Sequence, residues 1–266
     1  MPLILLALLT SVACAAPSPA PQSSIHLSPD DALRIGKMVF KNECGGKISC
    51  LTHWSQGEEF ASMGIGHFIW FPQGSQAPFH ETFPDLLDYL DQNGAPLPAW
   101  LKADHHCPWN SRDAFNNDLQ SPRMTELRQM LVDTIALQAQ CIANRLVDAL
   151  PKMLADLPAA QQDQVRAQFN RVAAEPIGVY ALVDYLNMKG EGISPKERYN
   201  GSGWGLLQVL QEMSGTQGGQ AALDEFSASA DKVLTRRVAN SPPERNEASW
   251  LSAWRRRVAT YRTGQN

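Results

Sequence analysis

From Pro122 to the C-terminus, apolar residues return at helical spacing in one stretch after another, and Pro or Gly stops each stretch. A chain written this way has to pack helix on helix, because each amphipathic face needs an apolar partner. The spacing predicts helices over about 122–150, 159–173, 177–188, 203–213, 218–236 and 243–261, with Pro151 ending or kinking the first. Leu127, Leu131, Ile135, Cys141, Ile142 and Leu146 are the inward stripe of that first helix.

An earlier helix opens at Ser28-Pro29-Asp30-Asp31, with a capping Ser, Pro at the first helical position and acids in the first turn. It should turn Leu33, Met38, Val39 and Phe40 inward and run to about Asn42, because Gly45-Gly46 stops it. From His53 to Phe71 polar and small residues alternate with Phe60, Ile65, Phe68, Ile69 and Trp70. That pattern predicts short strands around a tight turn at Gly64-Ile65-Gly66. A helix over about 84–92 and a Pro-rich passage through Trp100 and Trp109 follow. No repeat and no long linker divides the chain. The expected architecture is α+β and mostly helical, one domain over 28–266.

The apolar run Pro2–Ala13 is too short for a bilayer span, which takes roughly 20 residues. With Ala13-Cys14-Ala15 behind it, it reads as a signal peptide over 1–15, followed by a flexible Pro/Ser-rich lead-in over 16–27. Export to the periplasm or beyond is expected. Val12-Ala13-Cys14 also resembles a bacterial lipobox, and a lipid anchor on Cys14 is the rival reading. Removing Cys14 leaves Cys44, Cys50, Cys107 and Cys141, an even set suited to an oxidising compartment. Cys44 with Cys50 would close a short loop and leave Cys107 with Cys141; four buried free thiols are the alternative. His105-His106-Cys107 lacks a second cluster at ligand spacing, so neither a zinc site nor a cofactor is expected.

Charge removes one function class. Lys and Arg total 23 against 27 Asp and Glu, and a formal charge of -4 supplies no basic excess to displace counterions from nucleic-acid phosphates. A monomer is expected.

The chemistry concentrates in two places. Asn42-Glu43-Cys44-Gly45-Gly46 puts a carboxylate at a helix end. Held against an apolar wall, such a group has its pKa raised and suits a general acid. Ser62-Met63-Gly64-Ile65-Gly66-His67 follows, with glycines that let a backbone turn approach a ligand closely. His67 reads as a structural hydrogen-bonding residue rather than a base.

Together these residues resemble the phage-type lysozymes of the lysozyme superfamily. There the catalytic Glu ends the first helix and a small β-hairpin carries a second carboxylate and a Thr, followed by Thr-x-Gly-x-Gly-His. The resemblance covers about residues 29–71, with Ser62 in the Thr position. It implies a lysozyme-like fold with a hairpin after the first helix, Glu43 as general acid and Ser62 as the hydroxyl that positions water. Glu58 or Glu59 would be the second carboxylate, and Gly64, Gly66 and His67 would face the sugar.

The second place is Asn187–Gly192 with Glu197–Gln208, whose Gly205-Leu206-Leu207-Gln208 is similar to the Gly-Leu-Met-Gln segment lining the sugar cleft of lytic transglycosylases and goose-type lysozymes. Tyr199 and Trp204 offer flat faces to sugar rings, Gln208 a polar contact, and Glu191 or Glu197 another candidate carboxylate. Phe68-Ile69-Trp70-Phe71 reads as core and Arg255-Arg256-Arg257 as a solvated helix face. Ser202 lacks the strand that a nucleophile elbow needs. The expectation is an exported enzyme that cleaves peptidoglycan. A silent glycan-binding protein on the same scaffold and a lytic transglycosylase are the alternatives.

Overall fold

The computed structural model describes residues 25–75 and 80–263. The signal peptide, the Cys14 anchor and most of the lead-in lie outside the described residues. In chain order the elements are α1 (Pro29–Cys44), β1 (Thr52–His53), β2 (Ala61–Met63), β3 (Phe68–Trp70), α2 (Phe83–Gln92), α3 (Ala99–Ala103), α4 (Arg112–Asn117), α5 (Pro122–Asp133), α6 (Ile135–Leu154), α7 (Ala159–Ala173), α8 (Pro176–Lys189), β4 (Arg198–Tyr199), β5 (Ser202–Gly203), α9 (Leu206–Glu212), α10 (Gln220–Asn240) and α11 (Ala248–Ala259). The fold is mostly helical α+β, as the periodicity requires.

Local signals set α1. The Ser28 hydroxyl accepts the Asp31 N–H, Pro29 enters the first turn, and Gly45 stops the helix at φ 57°. Helix geometry therefore persists through Glu43 to Cys44, two residues past the expected end. Ile35 and Val39 fill the inner face, whereas Leu33, expected inside, is an exposed side chain. Beyond α1, β1, β2 and β3 form an antiparallel sheet in that order, Ser62 pairing with His53 on one side and Ile69 on the other.

The turn between β2 and β3 is held from outside. Gln138 of α6 is fully buried; its carboxamide oxygen accepts the Ile65 N–H at 3.0 Å, and its nitrogen donates to Leu131 O at 2.6 Å and Thr134 Oγ1 at 3.0 Å. A Cβ on Gly64, whose φ is 68°, would run into that carboxamide, and one on Gly66 into Phe68 and Ile142. Close packing against Gln138, Phe68 and Ile142 is thus enough to require both glycines. The same residues explain why the long helix expected over 122–150 is two. Thr134 departs from helical geometry, and Gln138 satisfies the Leu131 carbonyl left free at the end of α5. α6 then runs through Pro151 to Leu154, because Met153 and Leu154 are buried in its last turn.

One cluster of buried side chains runs from Ile25 to Tyr261. Phe68 and Trp70 belong to it, as expected; Phe71 is buried outside this cluster and Ile69 is half-buried. Ile25 and Leu27 are tied to α6 through Gln140, so the end of the lead-in is pinned rather than flexible. Asn200-Gly201, both at positive φ, turn β4 into β5, a hairpin inside the segment expected to be loop and helix. No helix of the described residues is long and apolar enough to cross a membrane.

Cys44 and Cys50 are joined, their Cα atoms 5.4 Å apart. Cys107 and Cys141 are free and buried, against the pairing expected from an even count. Burial raises their thiols to about 12 and about 11, so both are held as unreactive thiols. Alkylation without reductant should therefore label neither in the native protein and both in denaturant. Reduction should add Cys44 and Cys50. Mass spectrometry that finds residues 107 and 141 cross-linked would overturn this assignment.

Candidate functional site

Glu43, in the last turn of α1, points its carboxylate at an imidazole and a guanidinium. His67 Nε2 lies 3.3 Å from Oε2, and Arg257 Nη2 of α11 bonds Oε1. His67 reaches that position from the β2–β3 turn with φ 48°, so the Gln138-braced turn aims the imidazole. Burial by itself pushes the Glu43 carboxyl up, but His67 and Arg257 outweigh it and hold the group below the usual carboxylate range. The expected apolar wall, with its raised carboxyl, is replaced by an ionic clamp.

Arg257 is fixed from behind. Its Nε and Nη2 form a fork on Asp184 at 2.8 and 2.9 Å, and Asp184, fully buried in α8, also accepts Tyr261 Oη at 2.8 Å and Asn42 Nδ2 at 3.1 Å. Asn42 donates further to Tyr180 Oη, which shares a hydrogen bond with Thr260. Burial opposes the charge on Arg257, yet Asp184 and Glu43 raise its pKa far above the ordinary guanidinium value. The residue read as part of a solvated face is the internal hinge of the site. Arg255 bonds Asp231, and Arg256 is exposed.

Along α11, Trp250, Trp254 and Arg257 recur at i, i+4 and i+7 on one face, and Tyr261 follows in the 3-10 turn Thr260–Arg262. Trp250 is an exposed indole and Tyr261 is buried, so this stripe leads inward past the guanidinium that holds Glu43. Beside it lies the late segment. The Arg237 guanidinium sits 4.1 Å from the Trp204 ring centroid, 5.2 Å from that of Trp254 and 5.9 Å from that of Tyr199. Arg237 in turn forks onto Glu247 with two bonds of 2.7 Å, and Tyr199 Oη donates to Glu247 at 2.9 Å.

Glu43 and the Tyr199–Gln208 segment are therefore linked through α11, although the late residues serve differently from expectation. Trp204 is buried, packs 4.5 Å from Tyr199, and has Arg237 over its ring, so it offers no free face to a sugar. Gln208 accepts the Gly205 N–H and donates to Gly192 O, bracing the loop. Glu197 accepts the Gly192 N–H, and Glu191 is half-buried, its backbone oxygen receiving Leu207 N–H.

Of the hairpin candidates, Glu58 and Glu59 are exposed on the turn between β1 and β2, where the Glu58 carbonyl accepts the Trp54 indole N–H. Neither is among the partners of Glu43. Ser62 is buried in β2, and its hydroxyl makes no hydrogen bond among the described residues. Among those residues no cluster of three or more His, Cys, Asp or Glu is placed to hold a metal ion. A separate cavity of about 300 Å³ opens between Ile25–Leu27 and the α7–α8 corner, and none of its lining residues belongs to the Glu43 network.

Arg257 and Asp184 escaped the sequence reading for different reasons. An acid inside the otherwise apolar α8 run Val179–Leu186 is a readable sign of a buried, paired charge. Nothing in Arg255-Arg256-Arg257 says which of the three turns inward. Comparison with family models, with curated proteins and with solved structures finds no match to this chain.

Proposed function

We propose that this chain is an exported enzyme that cleaves the glycan strands of peptidoglycan, with Glu43 as the proton donor. The observation that carries the reading is the placement of Glu43: a helix-end carboxylate, clamped between His67 and Arg257, beside a helix face that descends from exposed Trp250. Aromatic faces suit sugar rings.

The clamp gives the acid a gate. In the free protein the Glu43 carboxyl is held low because His67 and Arg257 outweigh burial. A sugar that draws Arg257 away removes its share of the lowering and leaves the desolvation opposed by His67 alone, so the carboxyl climbs toward the range of a general acid. Asp184 keeps Arg257 from swinging freely, and the guanidinium has only to slide off Glu43 while retaining its fork.

The mode of cleavage follows from the second carboxylate. Asp184, which shares the Arg257 Nη2 with Glu43, is enclosed and saturated with donors, leaving no lone pair for an attacking water. That favours a single-carboxylate route, the lytic transglycosylase alternative. Glu43 protonates the glycosidic oxygen as the C–O bond breaks, then takes the proton of a hydroxyl on the same sugar as that oxygen closes on the anomeric carbon.

Mass analysis of digested, purified peptidoglycan tests both levels. Products one water lighter than reducing-end fragments are expected, while reducing ends would assign hydrolysis instead. Pull-down on peptidoglycan without any soluble product would overturn the enzyme in favour of a silent glycan-binding scaffold.

A further inference from the structure

Lys189 ends α8 beside the α11 stripe, and the reactions described above leave it without a task. Only 8% of the residue is exposed, and its Nζ lies 3.4 Å from the centroid of the Trp254 ring. Among the described residues it has no hydrogen-bond acceptor and no carboxylate within ion-pair distance. Burial, with Arg237 and Arg257 nearby, lowers the ammonium to about 7, and Glu247 opposes that shift.

The surrounding charges are already committed. Both Glu247 oxygens receive Arg237, and one receives Tyr199 Oη as well. Arg257 is shared between Asp184 and Glu43. Lys189 is thus a largely buried amine with no ion pair of its own, held against an indole one helical turn from the residue that clamps Glu43. An unpaired buried ammonium is unfavourable unless an anion completes it. Its three donors and the neighbouring ring match a carboxylate attached to a sugar.

We infer that Lys189 receives a carboxylate of the glycan substrate beside Trp254. This rests on the glycan-cleaving reading of the same site and narrows it to acidic rather than neutral glycans. The carboxylate has two sources, the lactyl group of peptide-free strands or the peptide stems of substituted ones.

Binding, rather than cleavage, tests the inference, and a Glu43→Gln parent keeps the sugars intact. Three oligosaccharides of equal length serve as probes: alternating acid-sugar strands without peptide, the same strands with peptide stems, and neutral N-acetylglucosamine oligomers. The parent is expected to bind a carboxylated probe about tenfold or more tighter than the neutral one, as a charged hydrogen bond implies. Lys189→Met, similar in length but uncharged, should erase that preference and leave neutral binding unchanged. The probe whose advantage vanishes identifies the source.

A preference that survives Lys189→Met, or a parent with no preference, overturns the assignment and leaves the glycan reading standing. Failure to bind any of the three overturns both. Should Lys189→Met not fold, the parent with isotopically methylated lysines carries the test. The Lys189 signal should titrate at higher pH with a carboxylated probe and not with the neutral one, and an unmoved midpoint overturns the inference.

Discussion

Replacing Glu43 by Gln is expected to lower the rate of peptidoglycan cleavage by about 10² to 10⁴, the usual contribution of a general acid. The substitution keeps the shape of the side chain and removes the transferable proton. Arg257 is not orphaned by it, because the fork to Asp184 remains. The stability cost should be on the order of 1 kcal/mol, a shift of a few degrees in melting temperature for a chain of this size. A folded variant that cleaves at more than about a tenth of the wild-type rate, well inside the range expected for a lost acid, removes Glu43 as the donor. The gate adds a second signature. The kcat/KM profile reports the free enzyme, where Glu43 is held low, whereas kcat reports the complex, where Arg257 has moved off. The protonated acid is the active form, so activity falls as pH rises through its pKa. That fall should occur at higher pH in kcat than in kcat/KM, and coincident limbs would exclude the gate.

The elements that carry Glu43 were legible because their determinants are local. Ser28-Pro29 and Gly45 bound α1 within its own sequence, and the turn at Gly64–Gly66 is marked by residues that few other conformations require. Partners were not legible, because they come from tertiary packing. Arg257 lies 214 residues from Glu43, and its neighbours Arg255 and Arg256 carry the same charge and face elsewhere. The break at Thr134 was hidden for a similar reason. Helical periodicity continues across it, while its cause is a Gln138 carboxamide shared with the distant β2–β3 turn. The residue types of Tyr199 and Trp204 suggest flat faces for sugar rings, yet Arg237 and Glu247 on later segments turn them into a packed assembly. Even cysteine count predicted a second bridge, but pairing also demands proximity, which counting does not supply.

Arg257 should be the most costly residue of the site to neutralise. Asp184 is fully buried in α8, and Tyr261 and Asn42 donate hydrogen bonds to it without supplying a positive charge. Arg257→Met keeps much of the aliphatic stem and strands that carboxylate, a loss expected to cost about 3 to 5 kcal/mol. In a domain of this length the melting temperature should fall by on the order of 10 °C. Asp184→Asn in the same chain removes the stranded charge, so the double variant should be more stable than Arg257→Met alone. Arg257→Lys, which keeps charge but loses the fork, should fall between.

The pH dependence fixes the sign. Wild-type Glu43 has a folded pKa below its unfolded value, so its contribution is present above about pH 4.3 and is lost as pH falls through the lower folded value. Without Arg257, its lowering contribution at Glu43 is lost while that of His67 remains, so the folded pKa moves up toward the unfolded value and the variant loses less stability than wild type on acidification. Melting curves at pH 7 and near pH 4.5 should therefore show the gap between wild type and Arg257→Met narrowing at the lower pH. A variant within about 1 kcal/mol of wild type at neutral pH, as exposed pairs behave, would show that the Asp184–Arg257–Glu43 chain is a solvated contact and not the frame of the site.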